Sequence, residues 1–306
     1  MSAGDGTMTA GERQVAGTVG RQFPLTTTPG ISDTATRWLA GERWDEAEPR
    51  RASTVMLVRD GVGGVGGVGG VGGVDGPEVF MLRRVSEMEF APSMMVFPGG
   101  SVDDRDGEIG LPWAGPSPSE WADRLGCSPS EAQMYVAAAI REVFEECGVL
   151  LASPSASGPL AMVDGPEWLD IRLALVDRRL SLADVLRDKG LVLRSDLIVA
   201  KAHWLTPVFE PRRYDTWFFA ALMPPLQVAD GETTEADQAT WVVPSELLRA
   251  YAAGSALMLP PTVVCVEEIR DAPSAADVVV HSEHLPLVMP EVVDGPGGPA
   301  MEIVER

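Results

Sequence analysis

The chain has 306 residues, 45% of them hydrophobic, so it is long enough to bury a sizeable core in one large domain. Its 45 acidic against 24 basic side chains give a formal net charge of −21, which excludes a general nucleic-acid binder, because such a protein needs a basic surface. Its 3 scattered cysteines exclude a disulfide framework, and no stretch has the pattern of a membrane span or a secretion signal. We therefore expect a cytoplasmic protein with neither nucleic acid nor membrane among its partners, and a homodimer is the assembly we consider.

The N-terminal part predicts a tail, a short helix and two strands joined by a long connection. Residues 1–35 are rich in Gly, Thr, Ser and Ala without periodicity, which is typical of a disordered tail. Apolar runs at 52–59 and 78–84 are typical of buried strands. The Gly/Val repeat at 61–76 lies between them. No Gly-Lys-Ser/Thr follows the repeat, so a flexible hairpin connection is preferred to a phosphate-binding loop.

The rest of the chain predicts a domain spanning 36–270 with insertions, followed by a C-terminal extension at 271–306. Residues 104–128, which contain Pro and Trp, predict a surface insertion. Ser128 and Pro129 predict the start of a helix. The remaining predicted elements are a strand at 149–151, a helical insertion at 153–198, strands at 217–222 and 239–243, and a helix at 263–270. The extension is rich in Pro, Gly and acids, and we expect it to be extended or partly disordered.

The helix that ends at Gly148 carries one apolar face and one acidic face. The apolar side chains at helical spacing are Val136, Ile140, Val143, Phe144 and Cys147. Glu142, Glu145 and Glu146 stack on the other side, in the last turn, where the helix dipole disfavours anions. The simple alternative is a solvated acidic face. A purely structural helix would favour Lys or Arg there, so we expect a cation, Mg²⁺ or Mn²⁺, against these glutamates.

The context of this helix resembles a known family. Arg141-Glu142-Val143-Phe144-Glu145-Glu146-Cys147-Gly148-Val149 matches the core of the Nudix box, R-E-U-x-E-E-x-G-U with U aliphatic, at every defined position. Upstream, Phe97-Pro98-Gly99-Gly100 resembles the glycine-rich opening of the same box. The resemblance implies a Nudix hydrolase with an α+β fold: an α/β/α sandwich around a mixed, partly antiparallel sheet. It also implies an insertion inside the box and additional helices after it.

The box is interrupted, and the position of its first acid is open. The usual pattern places an acid six residues after the second glycine and eight residues before the Arg-Glu pair. Counting forward from Gly100 reaches Asp106, whereas counting back from Arg141 reaches Gln133. The missing acid is therefore Asp106, Glu108, Glu131 or none of them.

Several segments resemble one subgroup, the large-insert acyl-CoA diphosphatases, in the family's order over roughly residues 52–265. They include Trp204-Leu205-Thr206-Pro207, the run from Arg213 to Phe219, and Leu259-Pro260-Pro261. Arg84 matches the first arginine of the family's coenzyme A motif, but the second arginine falls on Glu89 and its glycine on Ser93. The subgroup also lacks that second arginine. Such enzymes hydrolyse CoA or acyl-CoA at the diphosphate, giving 3′,5′-ADP and a 4′-phosphopantetheine product.

The resemblance also implies roles for particular residues. Glu142, Glu145 and Glu146 would be the metal ligands, with Arg141 orienting a neighbouring glutamate. The general base could be one of the box glutamates or a loop acid. Among the loop acids Glu235 is the candidate, with Glu232 as runner-up, although Glu235 fits a solvated loop acid about equally well. The candidate substrate-binding residues are Arg84, Gly99, Gly100, Arg212 and Arg213. Adjacent guanidinium groups such as Arg212 and Arg213 suit phosphate binding, and they fit rim charges about equally well.

Three functions compete at this stage. The first is a diphosphatase for CoA-type nucleotide-diphosphate substrates. The second is a Nudix pyrophosphatase that acts on ADP-ribose or NADH, and the third is a non-catalytic Nudix module that binds a ligand or a partner. The intact Arg141-Glu142 and Glu145-Glu146 pairs count against the third, while the uncertain first acid leaves it open.

Overall fold

The structure is a computed structural model that describes residues 20–25, 29–61, 76–85, 93–232, 236–282 and 285–304. Most of the predicted N-terminal tail, most of the Gly/Val repeat, Glu89 and Glu235 lie outside the described residues.

The described strands are numbered in chain order. They are β1 (Gln22–Pro24), β2 (Arg50–Asp60), β3 (Pro77–Arg84), β4 (Met95–Val96), β5 (Gly99–Ser101), β6 (Trp113–Ala114), β7 (Ala152–Ser153), β8 (Val192–Arg194), β9 (Ile198–Leu205), β10 (Tyr214–Leu222), β11 (Ala236–Val242), β12 (Leu287–Val288), β13 (Glu291–Gly295) and β14 (Gly298–Glu302).

The described α-helices are α1 (Pro29–Leu39), α2 (Pro118–Leu125), α3 (Pro129–Cys147), α4 (Pro166–Val176), α5 (Leu182–Lys189), α6 (Pro244–Ala252), α7 (Pro260–Asp271) and α8 (Ala275–Val278). Two 3₁₀ turns cover Asp104–Gly107 and Ser195–Leu197. No helix among the described residues is both long and apolar enough to cross a membrane.

A mixed 8-stranded sheet forms the centre of the fold, with strand order β11-β3-β2-β10-β9-β12. The short strands β4 and β5 pair with β3 and β2. The long β2 and β10 run parallel, whereas β2 with β3 and β10 with β9 are antiparallel. Because β5 pairs with β2 through Gly99, Gly100 and Ser101, the glycine-rich turn is fixed beside β2.

Helices cover both faces of this sheet because the side chains of its strands alternate. In β2, Val55 and Leu57 face the cluster that includes α3, while Met56 and Val58 face the cluster that includes α7. All four are fully buried. The sheet is therefore the middle layer of an α/β/α sandwich, as the sequence predicted.

The segment between the two halves of the box is a correction to the sequence prediction. It was expected to be a surface insertion, but its helix α2 turns Trp121 and Leu125 into the main core, with exposures of 0% and 5%. The Trp121 ring lies edge-on to Phe219 of β10, with 5.9 Å between ring centroids. Ser117 and Glu120 form a capping box that starts this helix. The insertion is therefore part of the core that supports the sheet.

Two further predictions differ from the structure. Residues 149–151 are buried but not a strand, because the chain leaves α3 through the left-handed Gly148 and pairs only at Ala152–Ser153. The C-terminal extension is not simply an extended tail: β13 and β14 form a hairpin, and β14 also pairs with β1. Met301 and Ile303 bury the hairpin against the α7 face of the sheet. The division of the chain into tail, domain and extension stays a prediction.

We expect Trp121→Ala to lower the free energy of unfolding by about 3–5 kcal/mol, because it removes a fully buried aromatic side chain and leaves a cavity against Phe219. Ile109→Ala is the matched control in the same insertion, since Ile109 is 96% exposed, and it should change stability by less than about 0.5 kcal/mol. Chemical denaturation of both variants measures the difference. Equal effects would mean that the insertion does not belong to the core.

Candidate active site

Helix α3 places the predicted acidic residues and begins and ends where the sequence indicates. Ser128 accepts a hydrogen bond from the backbone N–H of Glu131, whose side chain binds back to Ser128, and Gly148 ends the helix at φ 68°. The acidic face is not solvated: Glu142 and Glu146 are only 8% and 7% exposed. The alternative of a solvated charged face is therefore wrong for these two residues.

Arg141 is the centre of the site. Its guanidinium donates to Glu142 Oε1 at 2.8 Å, to Glu145 Oε1 at 3.2 Å and to the backbone carbonyl of Ser101 at 2.9 Å. The side chain is 9% exposed, so these bonds are screened little by water. Arg141 thus ties the acidic end of α3 to the strand that follows the glycine-rich turn.

Asp106 fills the first acid position that the sequence left open. Arg141 donates to Asp106 through Nε at 2.9 Å and through Nη2 at 3.1 Å, in a two-point contact typical of arginine and carboxylate. Asp106 is 3% exposed, and its Oδ2 also accepts from the backbone N–H of Asp103 at 2.8 Å. The count forward from Gly100 therefore locates the acid that pairs with Arg141.

The other two candidates for this acid have different partners. Glu131 belongs to the helix cap and pairs with Arg51, while Glu108 pairs with Arg187 of α5. Gln133, which the count back from Arg141 reaches, donates to the backbone carbonyl of Glu108 at 3.0 Å. Glu108 and Gln133 thus fasten the insertion to the rest of the domain, and Glu131 joins α3 to β2.

The glycine-rich turn lies directly against the glutamates. The backbone N–H of Gly99 donates to Glu146 Oε2 at 2.7 Å. A Cβ at Gly100 would lie 2.6 Å from Glu142 Oε1, and one at Gly99 would lie 2.5 Å from the carbonyl oxygen of Ser53. A side chain at Gly99 would therefore overlap the backbone of β2, and one at Gly100 would displace the Glu142 carboxylate.

The buried carboxyls have perturbed acidities. Burial raises the pKa of Glu142 to about 8, although the charge of Arg141 opposes the rise. Burial likewise raises the pKa of Glu145, again against Arg141. For Arg141, burial would lower the pKa, but the carboxylates of Glu142, Asp106 and Glu145 outweigh burial and raise it above the ordinary arginine range. One guanidinium therefore does not fully compensate the acids around it.

A cleft of about 540 Å³ opens over this cluster. Glu142, Glu145 and Glu146 line it together with both glycines of the turn. Its other charged lining residues are Arg84, Asp103, Arg105, Arg141, Arg172, Arg178 and Glu232. The cleft thus presents carboxylates and guanidinium groups side by side, which is the composition expected for binding a metal ion and phosphate oxygens together.

Two of these arginines each have a buried nitrogen without a hydrogen-bond partner among the described residues. Arg172 of α4 is 4% exposed and donates to the Glu145 carbonyl at 2.7 Å and to Asp230 at 2.6 Å, while its buried Nη2 has no partner among the described residues. The buried Nε of Arg84 also has no hydrogen-bond partner within the described part of the chain. Because unpaired buried donors are costly, both groups point to an anion in the cleft.

The remaining predicted site residues are not all in the cleft. Glu232 lines it, and Glu235 lies outside the described residues. Arg213 is 4% exposed and donates to the Thr206 carbonyl and to Glu46, and neither it nor the exposed Arg212 is among the cleft residues. The structure therefore places neither arginine of the pair in the cleft, and Arg213 holds the loop between β9 and β10.

The residues of the cleft agree only in part with the predicted metal site. Three carboxylates converge on a glycine turn, and Arg141 engages only one oxygen of Glu142 and one of Glu145. Hard oxygen donors of this kind suit Mg²⁺ or Mn²⁺. Within the described ranges, however, no group of three or more His, Cys, Asp or Glu residues forms a preformed metal cluster.

Sequence reasoning did not single out Arg172 and Arg105 and did not settle on Asp106. The forward count from Gly100 was the signal for Asp106. Arg172 lies on a helix of the insertion after the box, and nothing local to its sequence distinguishes it from a surface arginine.

The chain matches the sequence model of the NUDT19 Nudix domain over residues 119–269. It is 28% identical over 185 residues to a protein named putative nudix hydrolase 7 from Caenorhabditis elegans, covering 60% of this chain and 53% of that protein. It is also 28% identical over 255 residues to acyl-coenzyme A diphosphatase NUDT19 from Gallus gallus, covering 69% of this chain and 65% of that protein. The matches thus span about half to two thirds of the length of these relatives.

A crystal structure of a NUDIX hydrolase from Alicyclobacillus acidocaldarius superposes with a TM-score of 0.59 at 24% identity. The superposition covers 78% of this chain and 99% of the Alicyclobacillus chain. At this identity the likeness concerns the fold alone, and it confirms the fold expected from the sequence.

We expect Asp106→Asn to lower the free energy of unfolding by about 3 kcal/mol, because it leaves the buried Arg141 without its two-point ionic partner. Asp104→Asn, an exposed position in the same 3₁₀ turn, is the control and should change stability by less than about 0.5 kcal/mol. Urea denaturation of both variants gives the comparison. If Asp106→Asn were as stable as the control, Asp106 would not be the residue that balances Arg141.

Proposed function

Because the chain belongs to the Nudix hydrolase family, we propose that it hydrolyses the diphosphate linkage of CoA or acyl-CoA. The products would be 3′,5′-ADP and (acyl-)4′-phosphopantetheine. The observation that carries the proposal is the cluster around Arg141, in which three glutamates face a cleft that also contains arginines with unpaired donors. This combination serves hydrolysis of a diphosphate better than binding of a neutral ligand.

Glu142, Glu145 and Glu146 would hold the divalent cation, for which we propose Mg²⁺ or Mn²⁺. When bound, such an ion neutralises phosphate charge and lowers the pKa of a coordinated water. The raised pKa values of Glu142 and Glu145 support this assignment, since a cation would compensate the charge that Arg141 alone leaves unbalanced. Because Gly99 and Gly100 lack side chains, the backbone of the glycine-rich turn can lie close to the glutamates without filling the space beside them.

The arginines of the cleft would bind and orient the diphosphate. Arg172 is held by the Glu145 carbonyl and by Asp230, so its free Nη2 has a fixed direction. Arg84 is the last residue of β3 and lines the same cleft. Fixed donors of this kind stabilise charge that develops in the transition state without reorganising. We therefore assign Arg84 and Arg172 to phosphate binding and leave Arg212 and Arg213 out of that role.

The group that activates the water is proposed to be an acid of the loop before β11. Glu232 lines the cleft, and its backbone N–H donates to Asp230, which also holds Arg172. Glu235, the first choice from the sequence, follows three residues later. Glu232 and Glu235 therefore remain the two candidates for a general base in this loop.

CoA is preferred to other substrates because of the family resemblance of several separated segments and the match to the NUDT19 Nudix domain. ADP-ribose or NADH is the alternative, since the cleft geometry suits any nucleoside diphosphate derivative. A non-catalytic module is disfavoured by the complete set formed by Asp106, Arg141 and the glutamates. The cytoplasmic location and the homodimer stay predictions of the sequence.

A panel assay distinguishes these substrates. With Mg²⁺ present, we expect cleavage of CoA and acetyl-CoA with a higher kcat/KM than that of ADP-ribose and NADH, because the latter two lack a pantetheine arm and a 3′-phosphate. Products separated by chromatography should be 3′,5′-ADP and the matching 4′-phosphopantetheine. Cleavage of ADP-ribose without cleavage of CoA would contradict the preferred substrate and favour the alternative.

We expect Glu145→Gln to lower kcat at least about 100-fold, because it removes a carboxylate from the proposed metal site. The amide oxygen can still accept from Arg141, so the thermal stability should change little. Glu246→Gln on α6 removes the same charge from an exposed position and is the control. Near-native turnover of Glu145→Gln at saturating Mg²⁺ would mean that Glu145 is not a ligand.

A further inference from the structure

A second, smaller pocket of about 170 Å³ lies beside the cleft. Thr54, Arg84, Gly99, Tyr214 and Thr216 line both cavities, so the two share one wall. The other walls of the small pocket are mostly apolar and include Phe97, Trp204, Phe218, Leu259, Pro260 and Pro261. A substrate whose diphosphate occupies the cleft would therefore have an apolar recess within reach of one of its arms.

Glu210 is the unexpected residue of this pocket. Among the described residues that line the pocket, only Arg84 and Glu210 are charged types. Glu210 is 5% exposed, and its buried Oε1 has no hydrogen-bond partner within the described part of the chain. Burial raises the pKa of its carboxyl to about 7. A buried carboxyl without a partner costs stability, so the fold alone gives no reason for an acid at this position.

The loop that carries Glu210 is held firmly between β9 and β10. The backbone N–H of Glu210 donates to the carbonyl of Pro207 at 3.2 Å, and Arg213 donates to the carbonyl of Thr206 at 2.9 Å. The backbone N–H of Tyr214 donates to Thr206 Oγ1 at 3.0 Å. Arg213 is itself anchored by Glu46 and the carbonyl of Ala47. These contacts hold the Glu210 backbone in the pocket wall.

We infer that the apolar pocket binds one organic arm of the diphosphate substrate, and that the Glu210 carboxyl accepts a hydrogen bond from an N–H group of that arm. The inference rests on the proposed function, because it takes the neighbouring cleft as the place of the diphosphate. It makes Glu210 a specificity-determining residue: an arm without a matching N–H would leave a buried acceptor unpaired.

A CoA-type substrate has two sources of such an N–H. One is the amino group of adenine, carried on a flat ring, and the other is the amide pair of the pantetheine arm, carried on an aliphatic chain. Both combine an apolar body with a nitrogen donor, which is the chemistry that the pocket and Glu210 match. Arg84 on the shared wall stands where either arm joins its phosphate.

The experiment measures binding of the two halves of CoA separately. By calorimetry with Mg²⁺ present, the dissociation constants of 3′,5′-ADP and of 4′-phosphopantetheine are compared for the full-length protein and two variants. Glu210→Leu removes the acceptor at similar size, whereas Glu210→Gln keeps an amide oxygen that accepts the same bond. Glu246→Leu, at an exposed acid of α6, is the control for the change of charge and hydrophobicity.

We expect Glu210→Leu to weaken binding of one half-ligand roughly tenfold or more, while Glu210→Gln stays within about threefold of the natural protein. Loss for 3′,5′-ADP assigns the pocket to adenine, and loss for 4′-phosphopantetheine assigns it to the amide arm. The melting temperature of Glu210→Leu should not fall, because the carboxyl it replaces lacks a protein partner.

Three results would overturn the inference: unchanged affinity of Glu210→Leu for both half-ligands, equal loss for both together with a lower melting temperature, or no binding of either half-ligand by the natural protein. Unchanged affinity would indicate that the Glu210 carboxyl contacts only water. Equal loss with a lower melting temperature would indicate that Glu210 has a structural role. Failure of the proposed function is a separate result, since it would show as absence of CoA turnover whatever the half-ligand affinities of the variants.

Discussion

The buried guanidinium of Arg141 is the interaction on which the site depends. It joins the Asp106 turn, the carbonyl of Ser101 after the glycine turn, and the glutamates of α3. Burying several carboxylates together is tolerable only if positive charge is buried with them. One guanidinium holds the cluster in place but leaves it short of positive charge, as the raised pKa values of Glu142 and Glu145 indicate. The proposed cation would supply the positive charge that this cluster lacks.

That constraint explains how the box tolerates an interruption. Asp106 lies near the start of the insertion and contacts Arg141 on the helix that follows the insertion. Gln133 donates to the carbonyls of Asp106 and Glu108, and so fastens the start of the insertion to the helix after it. Trp121 then fills the core on the same side of the sheet. The two halves of the box therefore meet although the insertion separates them in sequence, because the start of the insertion is tied to α3 and its end leads directly into that helix.

Sequence reasoning located the parts of the site whose signal is local. Helix α3, its cap, its acidic residues and the glycine turn follow from spacing and residue type within a short window, and the structure has them at those positions. The residues it missed or misplaced depend on contacts between distant segments. The sequence drew attention to Arg213 beside Arg212 and not to Arg172, yet Arg213 holds a loop to Glu46 while Arg172 lines the cleft and has a buried nitrogen without a partner among the described residues. Only the tertiary fold separates these two uses of the same side chain.

The cleft and the adjoining pocket have linings of different chemistry. The cleft gathers charge, with arginines and glutamates around Arg141, whereas the adjoining pocket is apolar apart from Arg84 and Glu210 and a few uncharged polar side chains. A chain with a formal net charge of −21 would repel a polyanionic substrate at long range, so attraction must come from groups at short range. Arg84 on the shared wall supplies such a charge where a phosphate would meet an organic arm. If the proposed function holds, binding energy from that arm would keep the diphosphate over the glutamates, which is how contacts remote from the reacting bond assist hydrolysis.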